Sequence, residues 1–309
     1  MRKIRIGVIG VGNMGKNHVR VYSEMNNVDI AGVADTDSEK APGVSENFGV
    51  KFLEDYRELL KLGLDAVSIA VPTSLHKKVA LDAIDAGCNV LLEKPISDNM
   101  EDAKAIIEHA RKKNVKLMIG HIERFNPVVT QIKKALADQD VISISITRVG
   151  PLPPRMKNVS ILIDVAVHDI DIIRYVTGSE FEKILSLTSK NFSDEADTAL
   201  ISFKMKNGVL AHINTDWLTP FKLREMRVAT REKFIVGDLI SQKVTEYGKY
   251  SADGSFTVKE SGILYQEPLK QEIKSFLHSI ENNTAPLVTG TDGLEALKIA
   301  LRCMEYSKN

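Results

Sequence analysis

A short apolar run, Ile4-Arg5-Ile6-Gly7-Val8-Ile9, leads straight into Gly10-x-Gly12-x-x-Gly15, and this stretch constrains the fold more than any other part of the chain. A strand that feeds a glycine turn and then a helix brings backbone close to a pyrophosphate. The helix beyond the turn offers unbonded N–H groups and the positive end of its dipole to that anion. In such a turn Gly10 permits the sharp reversal, Gly12 leaves room for the phosphates, and Gly15 lets helix and strand pack closely. Asn13 and Met14 lie between the last two glycines, within reach of the same ligand. Asp35 follows twenty residues after Gly15, at the end of a second apolar run over residues 28–34. A carboxylate there accepts hydrogen bonds from a ribose 2′-OH and repels the 2′-phosphate of NADP, so NAD is the expected cofactor. The plainer alternative is a glycine-rich turn that merely joins strand to helix. The strand, the triplet, the amphipathic stretch and the acid in register argue against it.

A chain of 309 residues has room for two domains. Its 43% hydrophobic and 27% charged residues are the balance of a soluble globular protein, and its net charge is +0. No overall field draws it to nucleic acid or to an anionic membrane. Cys88 and Cys303 stand far apart, outside any metal-type spacing, and read as reduced core residues. The N-terminal apolar run meets Gly10 and polar residues at once, without a small-residue cleavage site, so it does not read as a signal peptide. No run of about eighteen apolar residues is present, and the cytoplasm is the default location.

Strand-like and helix-like segments alternate through the first ~120 residues, which predicts a doubly wound parallel sheet of the Rossmann kind. Strands are expected at 4–9, 28–34, 66–71, 89–92 and 116–119, with helices at 14–25, 38–48, 55–61, 75–86 and 100–113. The character then changes. A helix at 125–136 is followed by alternating segments at 141–149, 183–189, 198–204, 209–217, 226–230, 234–236 and 243–247, and turn residues separate them. These predict a C-terminal α/β domain with a large, open, mainly antiparallel sheet, joined by a single helix over 160–175 and closing helices at 268–281 and 293–305. The expected division is 1–122 for NAD binding and 123–309 for substrate binding and oligomerisation. A ligand is expected above the carboxyl ends of the parallel strands. An antiparallel sheet with an open apolar face needs a cover, so a homo-oligomer, dimer or tetramer, is expected.

Four groups of residues carry candidate chemistry. Glu93-Lys94-Pro95 follows the expected strand at 89–92, and Pro95 biases Lys94 toward extended backbone. A lysine there can donate to a substrate oxygen and favour its ionisation; the alternative is a surface lysine at a turn. Asp164-x-x-x-His168 places a carboxylate and an imidazole i, i+4 on a helix, with Asp171 on roughly the same stripe. Such an imidazole is a general base near neutral pH, able to take the hydroxyl proton while Lys94 stabilises charge on oxygen. The alternative is a solvated polar face, and a metal site is discounted for want of a second histidine at ligand spacing. Pro72-Thr73-Ser74-Leu75-His76 follows the expected strand at 66–71: Thr73 or Ser74 can cap the next helix, and Thr73 and His76 can also meet the cofactor. In His121-Ile122-Glu123-Arg124-Phe125-Asn126-Pro127, Arg124 and Asn126 either touch cofactor or substrate, or form a domain junction with Asn126-Pro127 starting a helix.

Gly10-x-Gly12-x-x-Gly15, Asp35, Pro72-Thr73-x-x-His76, Glu93-Lys94-Pro95 and Asp164-x-x-x-His168 together resemble the glucose–fructose oxidoreductase / inositol dehydrogenase family (Gfo/Idh/MocA), and the likeness runs the length of the chain. The resemblance implies bound NAD(P), hydride transfer at a sugar or polyol carbon, catalytic roles for Lys94 and His168, and Asp164 in the substrate pocket. Residues 121–127 resemble the branch acting on nucleotide sugars, which implies oxidation of a secondary hydroxyl, with C3 of UDP-N-acetylglucosamine the expected carbon. Arg155 and Lys157, on the proline-rich loop before Asp164, suit a pyrophosphate, a phosphorylated polyol or plain solvation. A dehydrogenase of a free sugar or inositol is the nearest alternative. A non-catalytic NAD-binding regulatory protein is the alternative of another class, and it would need neither Lys94 nor His168.

Overall fold

The apolar runs of the N-terminal part line up as strands. In the computed structural model, which describes residues 2–37, 41–153 and 158–306, they are β1 (Ile4–Ile9), β2 (Val28–Ala34), β3 (Phe52–Leu53), β4 (Ala66–Ile69), β5 (Asn89–Glu93) and β6 (Leu117–Gly120). They form one parallel sheet in the order β3-β2-β1-β4-β5-β6. Every residue of β4 and β6 is buried, as in strands covered on both faces, and their runs are apolar without alternation for that reason. The helices between are α1 (Asn13–Ser23), α2 (Ala41–Phe48), α3 (Tyr56–Leu60), α4 (His76–Asp85) and α5 (Met100–Lys113). α5 begins at a sequence-encoded cap: the Asn99 side chain accepts the Asp102 N–H at 2.9 Å, and Glu101 and Asp102 occupy the first turn. β3 was not expected, because two residues show no period.

The second part begins with α6 (Pro127–Ala135) and β7 (Val141–Pro151). A π-helical turn over Leu162–Ala166 then runs into α7 (Val167–Thr177). β8 (Phe181–Ser189), β9 (Thr198–Met205), β10 (Leu210–Asp216), β11 (Leu218–Thr230), β12 (Lys233–Asp238), β13 (Lys243–Gly248) and β14 (Val258–Ser261) follow, before α8 (Pro268–Glu281) and α9 (Gly290–Tyr306). The sheet order is β14-β13-β12-β11-β7-β10-β9-β8. All its pairings are antiparallel except β7 with β10. Ile144 and Ile146 of β7, Ile201 and Phe203 of β9, and Met226 and Val228 of β11 form its buried face. The regular helix expected over 160–175 is interrupted by the π turn, which sequence period cannot separate from an α turn over five residues.

Two compact units result: residues 1–121 with 269–297, and residues 122–268 with 298–309. The continuous division at 122 differs from this in one segment, 269–297, which packs with the parallel sheet. There the Ile119 N–H donates to the Val288 carbonyl at 3.1 Å, and a Cβ added to Gly293 would lie 2.9 Å from Ile119 Cγ1. Both cysteines are free and buried. Burial pushes the Cys88 thiol up to about 11 and the Cys303 thiol up to about 12, so both are inert at neutral pH. Among the described residues no helix is long and apolar enough to cross a membrane.

Candidate active site

The three glycines of the first turn meet three different demands. Gly10 has φ +84°, a left-handed conformation that suits glycine, and a Cβ there would lie 2.7 Å from the Ala70 carbonyl oxygen at the end of β4. Gly15 is tighter still, since a Cβ would sit 1.8 Å from the Gly10 carbonyl oxygen. At Gly12 an added Cβ meets nothing within 4 Å among the described residues. Gly12 is also the N-cap of α1, and no side chain among the described residues caps that helix. Its first N–H groups, those of Asn13 and Met14 among them, therefore have no capping side chain among the described residues. Asp35, at the end of β2, accepts the Val11 N–H on Oδ2 at 2.6 Å and the Asp37 N–H on Oδ1 at 3.0 Å. The acid thus fixes the glycine turn from the neighbouring strand. An uncapped helix start, space kept open at Gly12 and a carboxylate one strand over fit a dinucleotide.

β1 and β4 are the neighbours at which the strand order reverses, the usual place for a ligand crevice in such a sheet. After β4, Pro72 precedes a 3-10 turn, Thr73–Leu75, closed by the Leu75 N–H on the Pro72 carbonyl at 2.8 Å. The cap expected from Thr73 or Ser74 does not form: among the described residues no side chain caps this turn or α4. The backbone bond satisfies the turn, and Thr73 stays half-buried at the strand end. His76, expected to meet the cofactor, is enclosed by backbone. It is 1% exposed, with Nδ1 2.9 Å from the Pro95 carbonyl and Nε2 3.0 Å from the Val71 carbonyl. It ties the segment after β4 to the segment after β5. Burial lowers its pKa, against the pull of those carbonyls. Glu93 ends β5, and the half-buried Lys94 follows, joined to Pro95 by a cis peptide. The Lys94 N–H donates to Glu93 Oε2 at 3.3 Å.

In the second unit the π turn carries Asp164 and the first turn of α7 carries His168, both half-buried. Asp171, expected on their stripe, is buried and bound by Arg124 instead, Nε to Oδ2 at 2.7 Å and Nη2 to Oδ1 at 2.6 Å. Asn126 caps α6 by accepting the Val128 N–H at 3.1 Å and donates to the Leu239 carbonyl at 3.0 Å. Both residues thus bond to partners within the second unit. Arg155 lies outside the described residues. Asp169, beside His168, is 0% exposed against Arg148, which also donates to Glu123 at 2.7 Å. Arg224 adds a second bond to Glu123 at 3.1 Å. Burial pushes the Glu123 carboxyl up, but Arg148 and Arg224 outweigh it and hold the group below the usual carboxylate range.

These buried charges were not expected, although the sequence carried a signal. Arg148 shares the inward parity of Ile144 and Ile146 on β7. On α8, Glu272 occupies a place in the stripe of Leu269, Ile273, Phe276 and Leu277. In the first unit His18, Glu93 and Glu272 each place one ligand-type atom within 4.8 Å of the others, a cluster of a kind that can hold a metal ion.

Comparison with known proteins agrees with this geometry. The family model for an oxidoreductase family with an NAD-binding Rossmann fold matches residues 4–121, and the model of the GFO/IDH/MocA C-terminal domain matches residues 144–236. UDP-N-acetylglucosamine 3-dehydrogenase of Acidithiobacillus ferrooxidans is 29% identical over 306 residues, 98% of this chain and 96% of that protein. Its solved structure matches with a TM-score of 0.92 at 28% identity, covering 99% of this chain and 98% of that one. Myo-inositol 2-dehydrogenase of Thermotoga maritima is 26% identical over 311 residues, 95% of this chain and 93% of that protein. Levoglucosan dehydrogenase, solved with NADH, shares the fold with a TM-score of 0.89 at 21% identity, covering 99% of this chain and 97% of that one. The chain belongs to the Gfo/Idh/MocA oxidoreductase family, with the NAD-binding Rossmann domain of that family at its N-terminus.

Proposed function

We propose that this NAD-dependent sugar or polyol dehydrogenase oxidises a secondary hydroxyl to a ketone, and that its substrate carbon is C3 of UDP-N-acetylglucosamine. The likeness to the Acidithiobacillus dehydrogenase over 98% of this chain carries the choice of substrate. In this reading the segment 1–122 binds the cofactor, and 123–309 binds the sugar and a second copy of the chain. Bound NAD supplies the hydride acceptor. The glycine turn holds the pyrophosphate on the uncapped N–H groups of α1, and Asp35 uses its remaining lone pairs for the ribose hydroxyls. Lys94 donates from Nζ to the substrate oxygen, and its charge favours alkoxide character there. His168, as the neutral imidazole, accepts the hydroxyl proton, with Asp164 beside the sugar. The carbinol thus loses one proton and one hydride and becomes the ketone. Arg124 and Asn126 serve this site by holding α6 and α7 in place.

The test is to offer UDP-N-acetylglucosamine, free N-acetylglucosamine and myo-inositol with NAD, and to follow NADH absorbance and the ketone by mass spectrometry. Turnover confined to the nucleotide sugar is the expected result. Turnover with myo-inositol instead would favour the polyol reading that the Thermotoga relative supports. Bound NAD with no turnover of any of the three would favour the regulatory alternative. Lys94→Met is expected to abolish turnover while NAD stays bound. His168→Ala is expected to lose rate while NAD stays bound.

A further inference from the structure

The first unit buries an acid that the proposed chemistry does not use. Glu272 on α8 is 0% exposed, and neither of its carboxylate oxygens has a hydrogen-bond partner among the described residues. The titratable groups facing it are Glu93 on β5, and His18 and Tyr22 on α1. On its own helix, Lys270 is drawn away to Glu24 at 2.7 Å. An ionised carboxylate left without a donor in an apolar interior costs far more than protonating it, and a neighbouring anion adds to that cost. Burial first, and Glu93 second, push the Glu272 carboxyl well above the usual range.

The neighbouring bonds have one self-consistent direction. Tyr22 Oη lies 2.8 Å from Ser68 Oγ, Ser68 Oγ lies 3.1 Å from His18 Nδ1, and His18 Nε2 lies 2.9 Å from Glu93 Oε1. Burial pushes the Tyr22 phenol up, so it keeps its proton and donates. Ser68 then donates to Nδ1, and the Nε2–H donates to the carboxylate. Glu93 also accepts the Lys94 N–H. Burial raises the Glu93 carboxyl, but the hydrogen bond from His18, with the charge and the backbone N–H of Lys94, brings it below its ordinary value. Two carboxyls in one buried cluster are thereby pushed in opposite directions.

We propose that Glu272 is a neutral carboxylic acid in the folded protein, and that with the Tyr22–Ser68–His18 chain it is a positioning device that leaves Glu93 as the single anion beside Lys94. A second ionised carboxylate would repel Glu93 and compete for the His18 donor, whereas the neutral acid fills the same space without either effect. The statement about Glu272 is independent of the dehydrogenase reading, and the positioning of Lys94 rests on it. A divalent cation is the rival occupant of the cluster. It requires the opposite charge state, with Glu272 ionised and no proton on His18 Nε2.

Glu272→Gln keeps the shape of the acid and cannot ionise. Thermal unfolding of the full chain with NAD, from about pH 5 to about pH 9, compares the two proteins. Because the folded pKa of Glu272 lies above its unfolded value, the folded state holds a proton that the unfolded state releases. The unsubstituted protein therefore loses stability, relative to the variant, as pH rises through that interval. The expected result is a Tm advantage for Glu272→Gln that grows with pH, and a protonated-carboxyl band in the infrared spectrum that the variant lacks. A variant less stable at alkaline pH, a pH-independent difference, or a bound metal ion lost on substitution overturns the proposal. Ser68→Ala interrupts the chain between Tyr22 and His18. It is expected to lower kcat about ten- to a hundredfold while the Kd for NAD stays within about twofold. Unchanged kcat removes the positioning role. Absence of turnover in the unsubstituted protein removes the dehydrogenase reading and the positioning role with it, while Tm and infrared still decide Glu272.

Discussion

At Gly12 and Gly15 the same residue type answers to different physics, and alanine separates the two. In Gly15→Ala the new methyl falls 1.8 Å from the Gly10 carbonyl oxygen, and both parties are backbone that cannot step aside. A loss of more than about 2 kcal/mol in urea unfolding is expected. In Gly12→Ala the methyl meets nothing within 4 Å, at φ −64°, so the fold is expected to hold within about 1 kcal/mol. Its methyl instead occupies the space kept for phosphates, and an NAD titration is expected to show affinity reduced at least about tenfold. The Asp35 carboxylate accepts the Val11 N–H at 2.6 Å, and in the proposed function it also meets the ribose. Asp35→Ser is expected to weaken NAD binding and to narrow the preference for NAD over NADP in paired titrations. An unchanged preference would remove Asp35 from cofactor choice.

At the scale of elements, two buried arginines fix α7, the helix that carries His168. Arg124 grips Asp171, and Arg148 bridges Asp169 to Glu123 on the turn before α6. Arg148→Met leaves the fully buried Asp169 without its cation and Glu123 with Arg224 alone. It is expected to cost about 3–5 kcal/mol in urea unfolding. Glu123, held below the ordinary carboxylate range, contributes stability above its unfolded value of about 4.3, lost as pH falls through the lower folded value. With Arg148 gone the acid-side loss is expected to begin at higher pH, which unfolding curves across the acid range would show. The strands of the parallel sheet other than β3 were legible because burial makes their runs largely apolar. β14 was not, because three of its four residues are exposed and carry no alternation. Nor was the parallel pairing of β10 with β7, since alternation reports which face is buried and says nothing of strand direction.

For the whole molecule, the outward positions of the eight-stranded sheet bear on assembly. Leu187 and Leu200 are cross-strand partners on β8 and β9, exposed at 61% and 46%, with Leu185 exposed beside them. Contiguous leucines on a sheet face usually mark a surface that another protein covers, and an isologous contact lets a second copy do so with the same patch. The double substitution Leu187→Glu, Leu200→Glu is expected to convert the proposed homo-oligomer to a monomer in light scattering, with the fold kept. A single-chain mass for the unsubstituted protein would dismiss the second copy as the cover.

Much of this protein could be read along the chain because the constraints involved are local. The strand, the glycine triplet, the acid twenty residues on, Glu93-Lys94-Pro95 after an apolar run, and Asp164-x-x-x-His168 all lie within spans that one or two elements set. Partners distant in sequence belong to tertiary structure. His18 meets Glu93 across 75 residues and Arg124 meets Asp171 across 47, while Glu272 reaches the same cluster from α8. The charge of a buried group depends on which neighbours the fold brings to it, and no spacing rule along the chain encodes that.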